Sequence, residues 1–340
     1  MPEISVVIPT YHRPDLLAET LEAFSRQTFS DFEVLVIDNA SCPKARLEVE
    51  NFARSARFLV RYVPNPHGGN SGSRNLGASL ARSPLLAYTD DDVSVSPNWL
   101  EAYHQAFATH PSMAAAGGRV SPLWEEQPPR WLLDYMGDGP FFGVFALMDL
   151  SPEFFLGPKV MFFSCNMAIR RDVFTWTGFH PEMFGARTLG DGESGLGDDL
   201  AAAGALTGHL PEAEVFHRIG RTRMTKNYIR RWAWHLGGCN MYRRWRGRRR
   251  TLSAILREVP GIVREHAGDW ATSLLTPRDH SREAIDASFR ASEGICKLAY
   301  LYWMLTDPRT REVLDATQFA PCPGSPDAQG DSDKDDERGT

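Results

Sequence analysis

The sequence is short of cysteine. Its 340 residues hold five, at Cys42, Cys165, Cys239, Cys296 and Cys322, widely spaced and without a CxxC pair. That argues against a disulfide scaffold and a structural zinc site, and reduced thiols in a cytosolic setting are expected. Long hydrophobic runs are also lacking: no uncharged apolar stretch reaches the roughly 18 residues that a membrane-spanning helix needs. The start, Met1-Pro2-Glu3, has neither a basic segment nor an apolar core before strand-like sequence begins, so no signal peptide is expected. There is no surplus of positive charge. With 37 Lys+Arg against 43 Asp+Glu the net charge is −6, which gives no reason to expect a nucleic-acid binder. What remains is ordinary globular composition, 42% hydrophobic and 24% charged, long enough for one large domain with an appendage or two modest ones.

The charge is unevenly spread. Residues 217–250 hold twelve Lys/Arg and no Asp/Glu, whereas 321–340 hold six acidic and two basic residues. An acidic body with one basic segment suggests a patch for an anionic partner: substrate, membrane surface or protein. The tail 320–340 has little apolar surface to bury and is expected to be disordered.

The first hundred residues alternate between two periods. Ile4-Ser5-Val6-Val7-Ile8 and Val34-Leu35-Val36-Ile37 are short apolar runs typical of strands buried on both faces of a parallel sheet. Further strands are expected at 58–63 and 85–88. Pro14-Asp15 opens a helix with Leu17, Leu21 and Phe24 on one face, and a glycine-rich turn at 68–72 leads into a second. This alternation predicts an α/β fold whose ligands collect beyond the carboxyl ends of the strands. Those ends carry Thr10-Tyr11, Asp38 and the triplet Asp90-Asp91-Asp92. Later segments predict a helix at 99–107, strands at 114–120, 161–169 and 213–217, a loop at 190–197 and a short helix at 198–205. Helices follow after Thr225, one with Ile229, Trp232, Leu236, Cys239 and Tyr242 on a face, another with Ile285, Phe289, Ser292, Ile295, Ala299 and Tyr302. Gly237-Gly238 is expected to break the first.

Three adjacent aspartates repel one another unless something compensates them. A divalent cation would do so, and hard oxygen ligands suit Mg²⁺ or Mn²⁺. A solvated acidic turn, or a cap on the following helix, fits the triplet alone equally well.

Taken in order, the segments resemble the family 2 inverting glycosyltransferases of the GT-A fold. The resemblance rests on Ser5-Val6-Val7-Ile8-Pro9-Thr10-Tyr11-His12-Arg13, Val36-Ile37-Asp38-Asn39-Ala40-Ser41, Asn70-Ser71-Gly72-Ser73-Arg74-Asn75-Leu76-Gly77-Ala78, Tyr88-Thr89-Asp90-Asp91-Asp92, and Ser164-Cys165-Asn166-Met167 ahead of Gly178-Phe179. Each motif alone is weak; together they span residues 4–220. The resemblance implies a Rossmann-like, mainly parallel sheet over 1–224, with the nucleotide-sugar half at about 1–120, the acceptor half at about 121–224 and a helical appendage at 225–319. It implies direct displacement from a UDP-, GDP- or dTDP-sugar onto a glycan, lipid-linked or small-molecule hydroxyl.

The residue roles it implies are these. Pro9, Thr10, Tyr11, Arg13, Asp38, Asn70, Arg74, Asp90 and Asp91 would bind the donor, with Asp38 on the base and Arg74 near the diphosphate or bracing the aspartate loop. Asp92, with His217, would hold Mn²⁺ or Mg²⁺. Counting back from Leu200 and Gly204 makes Glu193 the base, with Asp191 and Asp198 as alternatives. Here the sequence departs from the family: Gly192 replaces an acidic residue, Glu stands where Asp is commoner, and Asp199 stands where Arg is frequent. Arg221 and Arg223 lie on a loop able to fold over phosphates. Trp232, Trp234, Trp245 and the six arginines in 243–250 form either a packing helix, the favoured reading, or one lying on an anionic membrane at the inner face of the cell. Competing functions are a retaining sugar transferase or a nucleotidyltransferase on a similar sheet, or a non-catalytic binding module built on the Arg/Trp segment.

Overall fold

The first strand, β1 (Ile4–Thr10), is buried along its whole length, as its unbroken apolar run requires. The computed structural model describes residues 1–316 apart from His67, Glu182, Gly185, Ala186 and Leu189, and for positions 183, 184, 187 and 188 the backbone alone. The acidic tail therefore lies outside the described residues. After β1 come α1 (Pro14–Phe24), β2 (Phe32–Asp38), α2 (Pro43–Ser55), β3 (Leu59–Pro64), α3 (Gly69–Leu80) and β4 (Leu85–Thr89). The strands lie in the order β3-β2-β1-β4, all parallel, so the carboxyl ends of β1, β2 and β4 open on one edge. Helix α3 sits hard against β1. A side chain at Gly77 would stand 2.3 Å from a methyl of Val7.

Beyond β4 the sheet becomes mixed. The chain continues through β5 (Val93–Val95), α4 (Trp99–Thr109), β6 (Met113–Trp124), α5 (Arg130–Met136) and three short strands, β7 (Phe141–Phe142), β8 (Leu147–Met148) and β9 (Phe155–Gly157). Then follow β10 (Asn166–Arg170), the paired β11 (Met183–Phe184) and β12 (Arg187–Thr188), α6 (Glu193–Ala202) and β13 (Leu206–Ile219). Two antiparallel registers position the site. β10 pairs with β4 so that Asn166 faces Thr89, which brings Ser164 and Cys165 alongside Asp90. β13 pairs with β5 so that His217 faces Val93, next to Asp92. Asn166 locks this junction. It accepts from the Trp99 indole and the Tyr103 hydroxyl, both at 2.8 Å, and donates to the carbonyls of Arg119 and Ala213, both at 2.7 Å.

Among the described residues four helices follow β13: α7 (Lys226–Trp245), α8 (Leu252–Leu275), α9 (Arg282–Thr306) and α10 (Pro308–Asp315). Met241, Tyr242 and Trp245 of α7 share a core with Ile255 and Ile262 of α8 and Tyr300, Leu301 and Met304 of α9.

Four sequence expectations are corrected. The strand expected at 161–169 begins only at Asn166. The loop expected at 190–197 is in part helix: α6 starts at Glu193, and the break falls at Gly192, whose φ of 54° favours glycine. Gly195 lies inside α6 because a side chain there would meet the His180 ring at 1.9 Å. Gly237-Gly238 does not break α7. A side chain at Gly237 would approach the Glu293 carbonyl of α9 to 2.6 Å, so the glycine is a helix-crossing contact and packing overrides its poor propensity. Finally, Ile295 and Tyr302, expected on the buried face of α9, are 50% and 64% exposed; Ala291, Gly294 and Leu301 are turned inward instead.

Candidate active site

The three aspartates at the end of β4 face three different partners. Asp90 meets the Arg74 guanidinium at 2.6 Å, and Arg74, 1% exposed, lies over the Phe179 ring. Asp91 is buried. Its Oδ2 accepts the Thr10 hydroxyl at 2.7 Å, its Oδ1 lies 3.3 Å from Arg13, and its carbonyl accepts the Thr20 hydroxyl at 3.0 Å. Asp92 is met by Arg223 at 2.6 Å, Arg13 at 3.1 Å and the His217 ring at 3.5 Å. The two buried carboxyls are consequently driven apart. Burial, helped by the charge of Asp92, pushes Asp91 up to about 6 against Thr10 and Arg13. Burial would raise Asp92 as well, but His217, Arg223 and Arg13 beside it hold it well below the ordinary carboxylate range.

Asp92 and His217 fit a divalent cation that is completed by substrate. The His217 Nδ1 lies 2.7 Å from the Phe145 carbonyl, which can only accept, so Nδ1 carries the proton. The Nε2 lies 3.0 Å from Arg223, which can only donate, so Nε2 presents its lone pair. That lone pair and the Asp92 oxygens converge, as a cation site requires. Among the described residues no group of three His, Cys, Asp or Glu side chains is placed to hold a metal. Phosphate and water would have to fill the remaining positions, as Mg²⁺ and Mn²⁺ commonly allow. Asp91, turned toward Thr10, is not aimed at this point.

Glu193 is the first residue of α6, and its carboxylate lies 3.3 Å from the Ser164 hydroxyl. It shares surroundings with the aspartates: burial first, then the charges of Asp90, Glu193 and Asp92, push the Cys165 thiol well up. The other two candidate bases are committed elsewhere. Asp191, buried, sits 3.2 Å from the His180 Nδ1, and Asp198 meets Lys159 and Arg243, each at 2.8 Å. Asp199, which departs from the family pattern, accepts from Thr177 at 2.7 Å and pairs with His180 and Arg246 at 3.0 Å. Burial would lower His180, but hydrogen bonds to Asp191 and Asp199 raise it.

Of the expected donor residues, Thr10 is buried and spends its hydroxyl on Asp91, while Pro9 is buried in β1. Tyr11 is 59% exposed, its ring beside His12, whose φ of 54° is unusual away from glycine. Asn70 is exposed in the first turn of α3. Asp38 is fully buried and turned to its own loop, accepting from the backbone N–H groups of Ala40 and Cys42 and from the Tyr62 hydroxyl. Asn75 clamps the backbone of Phe179 with two 2.9 Å hydrogen bonds. Sequence reasoning missed Ser164 and Thr20 as parts of the site. Ser164 opens the motif at 164–167 but was given no role there, and Thr20 signals itself as a polar residue on the buried face of α1.

Comparisons with known proteins identify the family and the fold. Residues 5–177, half of the chain, match the family described as Glycosyl transferase family 2. The chain belongs to glycosyl transferase family 2. A validoxylamine A glucosyltransferase of Streptomyces hygroscopicus is 32% identical over 205 residues, covering 54% of this chain and 48% of the relative. The succinoglycan biosynthesis protein ExoM of Rhizobium meliloti is 28% identical over 229 residues, 66% of this chain and 70% of the relative. This family 2 chain thus spans about half the length of the first of these. Its fold is of the GT-A type. The mannosyltransferase PcManGT of Pyrobaculum calidifontis, solved with GDP-Man and Mn²⁺, superposes with a TM-score of 0.55 at 16% identity, over 87% of each chain. No helix among the described residues is long and apolar enough to cross a membrane.

Proposed function

We propose that this chain transfers a glycosyl group from a nucleoside diphosphate sugar to an acceptor hydroxyl, with inversion and with help from a divalent cation. The observation that carries this reading is the meeting of two distant segments. Asp90 and Asp92, just after β4, and Glu193, at the start of α6, all act electrostatically on one buried thiol, Cys165, which supports a base and a cation site in one neighbourhood.

Asp92 and His217 would hold Mn²⁺ or Mg²⁺, which when bound neutralises the pyrophosphate leaving group. Arg13 and Arg223 are placed to meet the phosphates. Arg74 keeps Asp90 at the rim, and Thr10 and Thr20 fix the loop of Asp91. Tyr11 offers an exposed ring to a nucleotide base. Asp38 shapes the loop below, and each of its oxygens already has a partner. Glu193 takes the proton from the acceptor hydroxyl as its oxygen attacks the anomeric carbon. The new C–O bond forms as the bond to the diphosphate breaks on the opposite face. Beside Ser164, Phe163 stacks on Phe141 with ring centroids 5.5 Å apart, and Phe141 is partly open to solvent. That pair suits the apolar face of a sugar or other ring in the acceptor. PcManGT's bound GDP-Man and Mn²⁺ support a nucleotide-sugar donor and a metal here.

The Arg/Trp segment supports the packing reading: Arg243, Arg244 and Arg246 pair with Asp198, Glu258 and Asp199, which leaves little for nucleic acid. Peripheral membrane contact is better served by α8. Its acids Glu258, Glu265 and Asp269 turn to Arg244, Lys297 and Arg290 of the neighbouring helices. Its exposed side carries Leu252, Leu256, Val263 and Leu274 at helical spacing, with Arg257 and Arg264 also exposed. Such a face suits an anionic lipid surface, whereas a second copy would set arginine against arginine.

Transfer or hydrolysis of UDP-, GDP- and dTDP-sugars, measured with Mn²⁺ and with EDTA, tests the reading. NMR of the product anomer separates inversion from retention. Indifference to both EDTA and Asp92→Ala would refute the metal role.

A further inference from the structure

Asp92 and His217 converge on one space, and in this structure a side chain of the same molecule reaches both. Arg223 reaches Asp92 Oδ2 at 2.6 Å through Nη2 and His217 Nε2 at 3.0 Å through Nη1. The Asp92 Oδ1 and His217 Nε2 lie 3.5 Å apart. Two lone-pair-bearing atoms at that distance repel unless a positive group lies between or beside them. Arg223 supplies that group, its guanidinium reaching both side chains. It sits in the 220–225 connection between β13 and α7, which makes its own turns through Arg223 N–H to the Gly220 carbonyl at 2.9 Å and Met224 N–H to the Arg221 carbonyl at 3.1 Å. Met224 is buried and anchors the connection, while Arg223 remains partly open to solvent.

We propose that Arg223 is a built-in occupant of the cation seat. It keeps Asp92 and His217 in cation-ready geometry, excludes a free divalent ion, and yields only when a nucleoside diphosphate gives the guanidinium another anionic partner. Cation and donor would then bind as one unit, and the empty protein would hold metal poorly. The inference rests on the metal-dependent reading above and adds the order of binding to it.

Mn²⁺ binding to the full chain, followed by EPR, tests it for the wild type, Arg223→Ala and Arg223→Lys. If the guanidinium occupies the seat in about nine molecules of ten, its removal tightens Mn²⁺ alone roughly tenfold. Arg223→Lys should fall between. With UDP or GDP at a fixed subsaturating concentration the order should reverse, Mn²⁺ now being held more weakly by Arg223→Ala than by the wild type, because the variant binds less of the nucleotide that brings the ion. A structural role alone does not produce opposite signs. Mn²⁺ bound equally or more weakly by Arg223→Ala in the absence of nucleotide overturns the proposal while leaving the metal reading intact. If no protein binds Mn²⁺ even with nucleotide, the metal reading fails and this proposal with it. Melting temperatures of the three proteins verify that each is folded, and Asp92→Ala, which should abolish binding, verifies the seat.

Discussion

Replacing Asp91 with asparagine is expected to stabilise the protein at neutral pH and to have little effect near pH 4. The residue is 5% exposed, and burial, then the neighbouring Asp92 charge, raise its carboxyl from 3.8 to about 6 despite Thr10 and Arg13. In the unfolded chain the same group titrates near its ordinary value. Between about pH 4 and pH 6 the folded state therefore holds the extra proton, and stability falls as pH rises. The contribution of the protonated carboxyl is complete below about pH 4 and is lost as pH passes about 6. A shift of about two units corresponds to about 3 kcal/mol. Asparagine keeps the shape: its oxygen can take the Arg13 N–H, and its amide can donate to the Thr10 hydroxyl, which rotates to accept. Urea denaturation at pH 4 and pH 7.5 measures the effect. Asp91→Asn should gain about 3 kcal/mol over the wild type between the two, with the slope m unchanged. Asp92 and Asp199, whose shifts run the other way, are present in both proteins and cancel in the difference. A gain that does not depend on pH, or a variant less stable than the wild type at pH 7.5, would refute Asp91 as the desolvated member of the cluster.

Glu193→Gln should lower kcat by roughly 10²–10⁴-fold while donor affinity by calorimetry stays unchanged. An active Glu193→Gln alongside an inactive Asp191→Asn or Asp198→Asn would move the base. Gly237→Ala should cost about 1–3 kcal/mol in chemical denaturation, because its new methyl meets the α9 backbone. A neutral result would mean that α7 and α9 lie farther apart. Leu252→Glu with Leu256→Glu should abolish co-sedimentation with phosphatidylserine vesicles at low salt without changing the melting temperature; binding that persists would clear α8 of contact with lipid.

The parts of the site that could be read from the sequence are those encoded locally. The runs at β1, β2 and β4 are apolar on both faces, so their strand character and the polar residues that end them, Thr10, Asp38 and Asp90, stand out without knowledge of the fold. Where glycine decides, local rules misled. Gly195 and Gly237 look like breakers, yet each lies in a helix because another element approaches within the space of one methyl group. That approach belongs to residues more than ten positions away and leaves no periodic trace. The ordered motifs gave the expectation that His217 meets the metal; what the structure shows is His217 beside Asp92, through the register of β13 on β5, which sets it opposite the residue after Asp92. The same register brings the backbone N–H of Arg218 to the Asp92 carbonyl at 3.0 Å. The compensation of the aspartates is likewise non-local: Arg13 comes from the loop after β1, Arg74 from α3 and Arg223 from the loop after β13. A single sequence shows that three carboxylates are adjacent and must be neutralised. Which cations neutralise them, and that Asp91 rather than Asp92 keeps its proton longer, follows only when the antiparallel half of the sheet closes against the parallel half. A change to the β5–β13 pairing should therefore disturb Asp92 more than Asp90, since Asp90 is braced by Arg74 from the other side of the site.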